Sequence, residues 1–265
     1  MTSFRVGCVP YVNAIPLAMP FVRPDSNIEV RFDVPSRLPS LLDSGEAQAI
    51  LVSSFDALTQ ANRRMGRRVC IGSFGPVESV RLFSKVPFEK ICSLALDQSS
   101  MTSNSLAQIV LAESLDCRPS TCKMAPDLNS MLEGNDACVL IGDIGMAADG
   151  TGLHVLDLGE AWTDLTGLPF VWAAWVGRDE FSAELADQLG SALEQGFGVD
   201  DWVQAAVTQS GWEEEVARRY FGSTMRYEFT HEMETGLKLF QSKLANHGFP
   251  AHFWPVWADS PVPAV

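Results

Sequence analysis

The chain has 265 residues, 46% hydrophobic and 20% charged, with mean hydropathy near zero, enough for a sizeable core in one large domain or two modest ones. A formal charge of −14 and a pI near 4.6 repel phosphate backbones and anionic lipid, setting nucleic acid and membranes aside as partners; a small anionic ligand stays open, because local donors govern a closed cleft. The opening MTSFRVGCVPYVNAIPL lacks the apolar stretch and cleavage site of a secretory signal, and no run approaches the roughly 18 apolar residues of a membrane span, so a cytoplasmic location is expected.

In chain order, Ile28 to Val34 reads as a strand. Ser36 is placed to cap a helix carrying Leu38, Leu41 and Leu42, which Gly45 ends before a strand from Ala47 to Val52. Val69 to Ser73 and Ser79 to Ser84 read as strands on either side of the turn FGPVE. At Pro87 the pattern restarts: strand Ser93 to Leu96, helix from Thr102, strand Thr121 to Met124, helix from Asp127, strand Ala137 to Ile141. The apolar run from Pro169 to Gly177 predicts one long strand. Helices follow, one burying Leu185, Leu189, Ala192 and Leu193, another capped by Thr230 and burying Met233, Leu237, Phe240 and Leu244. The tail from Pro250 reads as an irregular surface strap. Alternation of strands and helices points to an α/β fold with largely parallel strands, and the restart to a second lobe.

Familiar chemical signatures do not occur. There is no GxGxxG, P-loop, GxSxG or EF-hand loop, and HEMET at His231 lacks the second histidine of a zincin. No cofactor or metal is expected. The six cysteines contain no CxxC pair and read as reduced packing residues, and His154, His231, His247 and His252 lie outside the polar turns.

Those turns carry the chemistry. LDQSSMTSNSL follows a strand and opens a helix, where free N–H groups and the helix dipole favour an anion; the competing reading is a simple cap formed by Ser100, Thr102 or Ser103. Asn13 stands between two prolines, with an amide suited either to a ligand or to its own turn. Ser79 and Asp143 also sit at strand ends, where open α/β sheets bind ligands, so the four turns can converge.

Taken in order, VPYVNAIPL, GPVESVRLFSKVP, LDQSSMTSNSLAQIVL, LIGD and DLGEAWTDLTGLPFVWAAW resemble the chorismate dehydratases of the futalosine route to menaquinone, with further likeness at RYEF and ETGLKLF. The resemblance implies a two-lobe, type 2 periplasmic-binding-protein-like α/β fold with mixed, mostly parallel sheets and a ligand cleft between the lobes. One lobe would comprise residues 1–86 and 173–265 and the other 87–172, joined by strands crossing near Ser84 and Trp172. It implies a lyase that needs no cofactor, with Asn13 and Ser79 in catalysis and Ser36, Ser100, Thr102, Ser103, Gly142 and Asp143 in substrate binding. The sequence departs from that family at Ile15 and Met101, where many members carry a basic residue. Two other readings remain: a small-carboxylate sensor of the same fold, and the sister 1,4-dihydroxy-6-naphthoate synthase, whose motifs fit these turns poorly.

Overall fold

A computed structural model describes residues 3–35 and 37–259. Ser36, expected as a helix cap and substrate ligand, lies outside the described residues. The larger sheet contains β1 (Phe4–Cys8), β2 (Ile28–Phe32), β3 (Ala49–Ser53), β4 (Arg64–Ser73), β10 (Phe170–Gly177), β11 (Met225–Glu228) and β12 (Val256–Trp257). Its order is β11-β4-β10-β3-β1-β2, with β12 also pairing with β4. The smaller sheet runs β7 (Ser120–Met124), β6 (Ser93–Asp97), β8 (Ala137–Leu140), β5 (Arg81–Ser84), β9 (His154–Asp157).

Among the described residues, five strand pairings are parallel and five antiparallel, so the sheets are mixed without the expected parallel excess. The cause is local. β5 and β10, the first strands after each passage between sheets, run antiparallel to both their neighbours. Because β5 bonds to β8 and β9, the chain changes sheet between residues 74 and 80 rather than near Ser84; it returns between 158 and 169, just before Trp172.

Burial explains the helices. Thr102–Leu115 is enclosed on most of its surface, with Leu106, Ile109, Val110 and Leu111 in the core, hence its weak amphipathic pattern. In His231–Asn246, Thr230 Oγ1 accepts from the Met233 N–H at 3.2 Å, and Phe240 packs edge-on against Trp162 and Phe170. The tail is more than a strap: β12 pairs with β4 at Arg64 and Met65, and Arg64 Nη2 donates to the Ala258 carbonyl at 2.9 Å. Strand β11 and the short helix Glu214–Arg219, neither singled out by pattern, complete this side.

Candidate active site

Turns from both sheets line one cavity of about 490 Å³. The larger sheet contributes Asn13, Ser53, Asp56, Arg63 and Trp172, and the smaller contributes Ser99 to Ser103, Lys123 and Gly142, with Ser79 on the passage between them. Asn13, Ser79, Ser100, Thr102, Ser103 and Gly142 therefore meet, although they come from four separate stretches of chain. Asp143 does not join them. It lines a neighbouring cavity with Glu78, Arg81, Trp212 and Arg219. Burial pushes its carboxyl above the usual range.

Asn13 lies in the one-turn helix Val12–Ala14, and Pro16 is in the first turn of the next, Ile15–Ala18, where its missing N–H costs nothing. Asn13 Oδ1 is buried without a hydrogen-bond partner, so the amide has an acceptor to spare. Gly142 adopts φ +58°, a conformation that favours glycine, and opens the helix Gly142–Ala147. A Cβ on Gly145 would come within 2.5 Å of the Ser79 carbonyl, so a glycine there lets this helix press against the Ser79 turn.

Ser79 is held from several directions. Glu78 has φ +62°, and the Ser79 N–H donates to the Val77 carbonyl at 2.7 Å, closing a tight γ-turn that costs strain. Asp157 accepts from the Val77 N–H at 3.0 Å and the Glu78 N–H at 2.7 Å, while capping Leu158–Thr166 through Gly159 and Glu160. Arg219 donates to the Glu78 carboxylate from Nε and Nη2, and Thr224 Oγ1 adds a bond at 2.9 Å. Ser79 Oγ lies 3.0 Å from Tyr220 Oη, both residues being buried.

The hydroxyl-rich turn divides its labour. Ser99 donates to Asp97 Oδ1, Ser105 to the carbonyls of Met101 and Thr102, and Ser100 Oγ accepts from the Ser103 N–H at 3.3 Å, as a cap would. Thr102 Oγ1 accepts from the Phe55 N–H at 3.1 Å, joining the amino ends of Ser54–Thr59 and Thr102–Leu115 across the two sheets. The Ser103 hydroxyl has no partner among the described residues beyond the cavity it lines.

Three cations in the wall escaped the sequence reading. Arg63 makes a buried two-point ion pair with Asp56, at 2.8 and 3.1 Å, and Lys123 and Arg178 line the same cavity. Met101 also lines it, whereas Ile15 lines a different hollow, so of the two departures from the resembled family only Met101 bears on this site. Nothing in the sequence around Asp56, Arg63 or Tyr220 marks them. The four histidines lie outside the cavity lining; His247 Nε2 instead meets Glu113 Oε1 at 3.0 Å. Among the described residues no cluster of three or more metal-ligating side chains occurs, and no helix is long and apolar enough to cross a membrane.

Known structures share this architecture. A protein of Archaeoglobus fulgidus superposes with a TM-score of 0.70 at 17% identity, covering 93% of this chain and 98% of its own. The ligand-binding component of an ABC-type import system from Staphylococcus aureus gives 0.66 at 13% identity, over 98% and 95%. The alkanesulfonate-binding protein SsuA of Xanthomonas axonopodis pv. citri gives 0.63 at 16%, over 93% and 92%. These likenesses establish a periplasmic-binding-protein-like α/β fold, which alone says nothing of activity. In sequence, a chorismate dehydratase of Thermus thermophilus is 29% identical, over 92% of this chain and 96% of its own length. The match that spans nearly everything described above, from β1 to the end of the helix His231–Asn246, is to the menaquinone biosynthesis family at residues 4–246, and the chain belongs to that family.

Proposed function

We propose that the protein is a chorismate dehydratase, a hydro-lyase that converts chorismate to 3-[(1-carboxyvinyl)oxy]benzoate and water. The observation that carries this reading is the convergence of Asn13, Ser79, Ser100, Thr102, Ser103 and Gly142 on one cavity. Family membership and the likeness to the Thermus thermophilus enzyme support it. Part of the same reading is that the two sheets form two lobes and that the ligand lies between them.

The elimination removes the ring C3 proton and the C4 hydroxyl and gains an aromatic ring. The enolpyruvyl carboxylate of the substrate itself lies near C3 and serves as the base, so the protein has mainly to orient and to stabilise developing charge. Asn13 offers both donor and acceptor functions, and Ser79 a hydroxyl held in a strained turn. One substrate carboxylate is assigned to the Ser100, Thr102 and Ser103 turn at its helix amino end. Lys123 brings positive charge to the same cavity, whereas the charge of Arg63 is balanced there by Asp56.

Incubation of purified protein with chorismate, with and without chelator, tests the reading. The expected result is formation of the aromatic enolpyruvyl ether at a rate that chelator does not change. Binding of chorismate by folded protein without turnover would favour a sensor of the same fold instead.

A further inference from the structure

The segment from Arg219 to Thr224 grips the two residues Glu78 and Ser79 at three points. Arg219 and Thr224 bond the Glu78 carboxylate, and between them Tyr220 Oη meets Ser79 Oγ at 3.0 Å. The segment continues the helix Glu214–Arg219 as a widened π-helical turn, a rare geometry that spaces these three side chains toward one target. Tyr220 is 1% exposed and Ser79 2%, so water does not readily replace either partner.

Two hydroxyls facing each other leave open which one donates. A phenol, with a pKa near 10, is a far stronger donor than an aliphatic alcohol, and its oxygen is a weaker acceptor because a lone pair delocalises into the ring. Burial keeps the phenol protonated. With Tyr220 donating, Ser79 Oγ is an acceptor on its buried side and keeps its own proton for the cavity that it lines. The reverse orientation would turn the Ser79 proton away from the cavity and leave the Tyr220 proton buried with no acceptor among the described residues.

We propose that Tyr220 is a positioning residue for Ser79: its phenol donates to Ser79 Oγ and thereby turns the Ser79 hydroxyl proton into the cavity, toward an anionic or leaving oxygen of the ligand. The kinetic part rests on the chorismate dehydratase reading; the orientation of the hydroxyl pair does not. Tyr220 touches no ligand and acts through Ser79 alone, which separates this role from that of the cavity lining.

The test uses four full-length proteins: wild type, Tyr220→Phe, Ser79→Ala and the double variant. On chorismate, Tyr220→Phe is expected to lower kcat about tenfold while KM changes less than about twofold, since alignment rather than binding is lost. In the Ser79→Ala background the same substitution is expected to have no further effect on kcat, because the two residues act as a unit. Unchanged kcat in Tyr220→Phe overturns the proposal, and so does an equal loss in both backgrounds. An arm independent of turnover uses the Raman doublet of tyrosine, whose intensity ratio distinguishes a donating from an accepting phenol. The chain has only three tyrosines, so the difference between wild type and Tyr220→Phe isolates Tyr220. A donor signature that weakens in Ser79→Ala supports the orientation even if wild type fails to convert chorismate, in which case only the functional reading falls. An acceptor signature overturns the orientation whatever the activity.

Discussion

Ser79 and the Ser100–Ser103 turn offer hydroxyls to the same cavity but hold them differently. Ser79 stands on a strained turn whose carboxylate, amides and hydroxyl are tied to residues far along the chain, Asp157, Arg219, Tyr220 and Thr224. Ser100 and Thr102 each serve a helix amino end, Ser100 receiving the Ser103 N–H of its own helix and Thr102 the Phe55 N–H of a helix on the other sheet. A hydroxyl fixed from outside its own element is suited to orienting a reaction, whereas hydroxyls that also serve a helix end are suited to seating a charge. Strain at φ +62° is tolerated in the first case because several partners over-determine it.

The sharpest way to break this contrast is at Ser79. Ser79→Ala is expected to lower kcat/KM for chorismate at least about a hundredfold, the scale of losing one oriented hydrogen bond to developing charge, and Asn13→Ala likewise. Ser79→Ala also strands the buried Tyr220 phenol and should cost about 1–3 kcal/mol of stability, read from denaturant melts. Near-normal turnover in either variant would remove that residue from the site.

Thr102→Val is expected to have an intermediate effect. It leaves the Phe55 N–H without its acceptor, so the melting temperature should fall whether or not a ligand is ever bound. The deciding measurement is the product affinity of the folded variant, expected to drop about tenfold, equal to about 1.4 kcal/mol. Ser100→Ala, by contrast, should cost about 1 kcal/mol of stability through its lost cap, with less effect on affinity. Equal affinities in wild type and Thr102→Val would reduce the whole turn to a helix cap.

The smallest expected effect concerns pH. Hydrogen bonds from Arg219 hold the Glu78 carboxyl below the usual range, so the unfolded chain takes up its proton more readily than the folded one. The resulting stability is fully present above the ordinary glutamate value of about 4.3 and is lost as pH falls through the lower folded value. Melting temperatures of wild type and Glu78→Gln should therefore differ at neutral pH and converge on acidification. A gap that stays constant into acid would mean that the Glu78 charge contributes nothing.

Much of the fold was legible because local pattern encodes it. The run FVWAAWVG has to be a strand buried on both faces, and Thr230 followed by Met233, Leu237, Phe240 and Leu244 can only bury one face of a helix. The equal share of antiparallel pairing was not legible, because which sheet β5 joins depends on partners 53 or more residues away. The site divides the same way. Glycine, asparagine and clustered hydroxyls at strand ends signal themselves, whereas Tyr220 looks like any aromatic on a helical segment and Arg63 like any surface cation until the fold encloses it. Ser36 lies outside the described residues, and Asp143, read as a ligand contact, lines the neighbouring cavity instead.

The bonds around Glu78 and Ser79 span about 80 residues to Asp157 and 141 to the Arg219–Tyr220 pair. Such long closures come late in folding, after the entropy of the intervening loops has been overcome. During synthesis the bonds from Arg219, Tyr220 and Thr224 to Glu78 and Ser79 cannot form until residue 224 has left the ribosome. On the proposed function, activity would report completed folding: a chain cut short before Arg219 would keep Asn13, Ser79 and the hydroxyl turn in sequence yet lack the Arg219, Tyr220 and Thr224 bonds to Glu78 and Ser79.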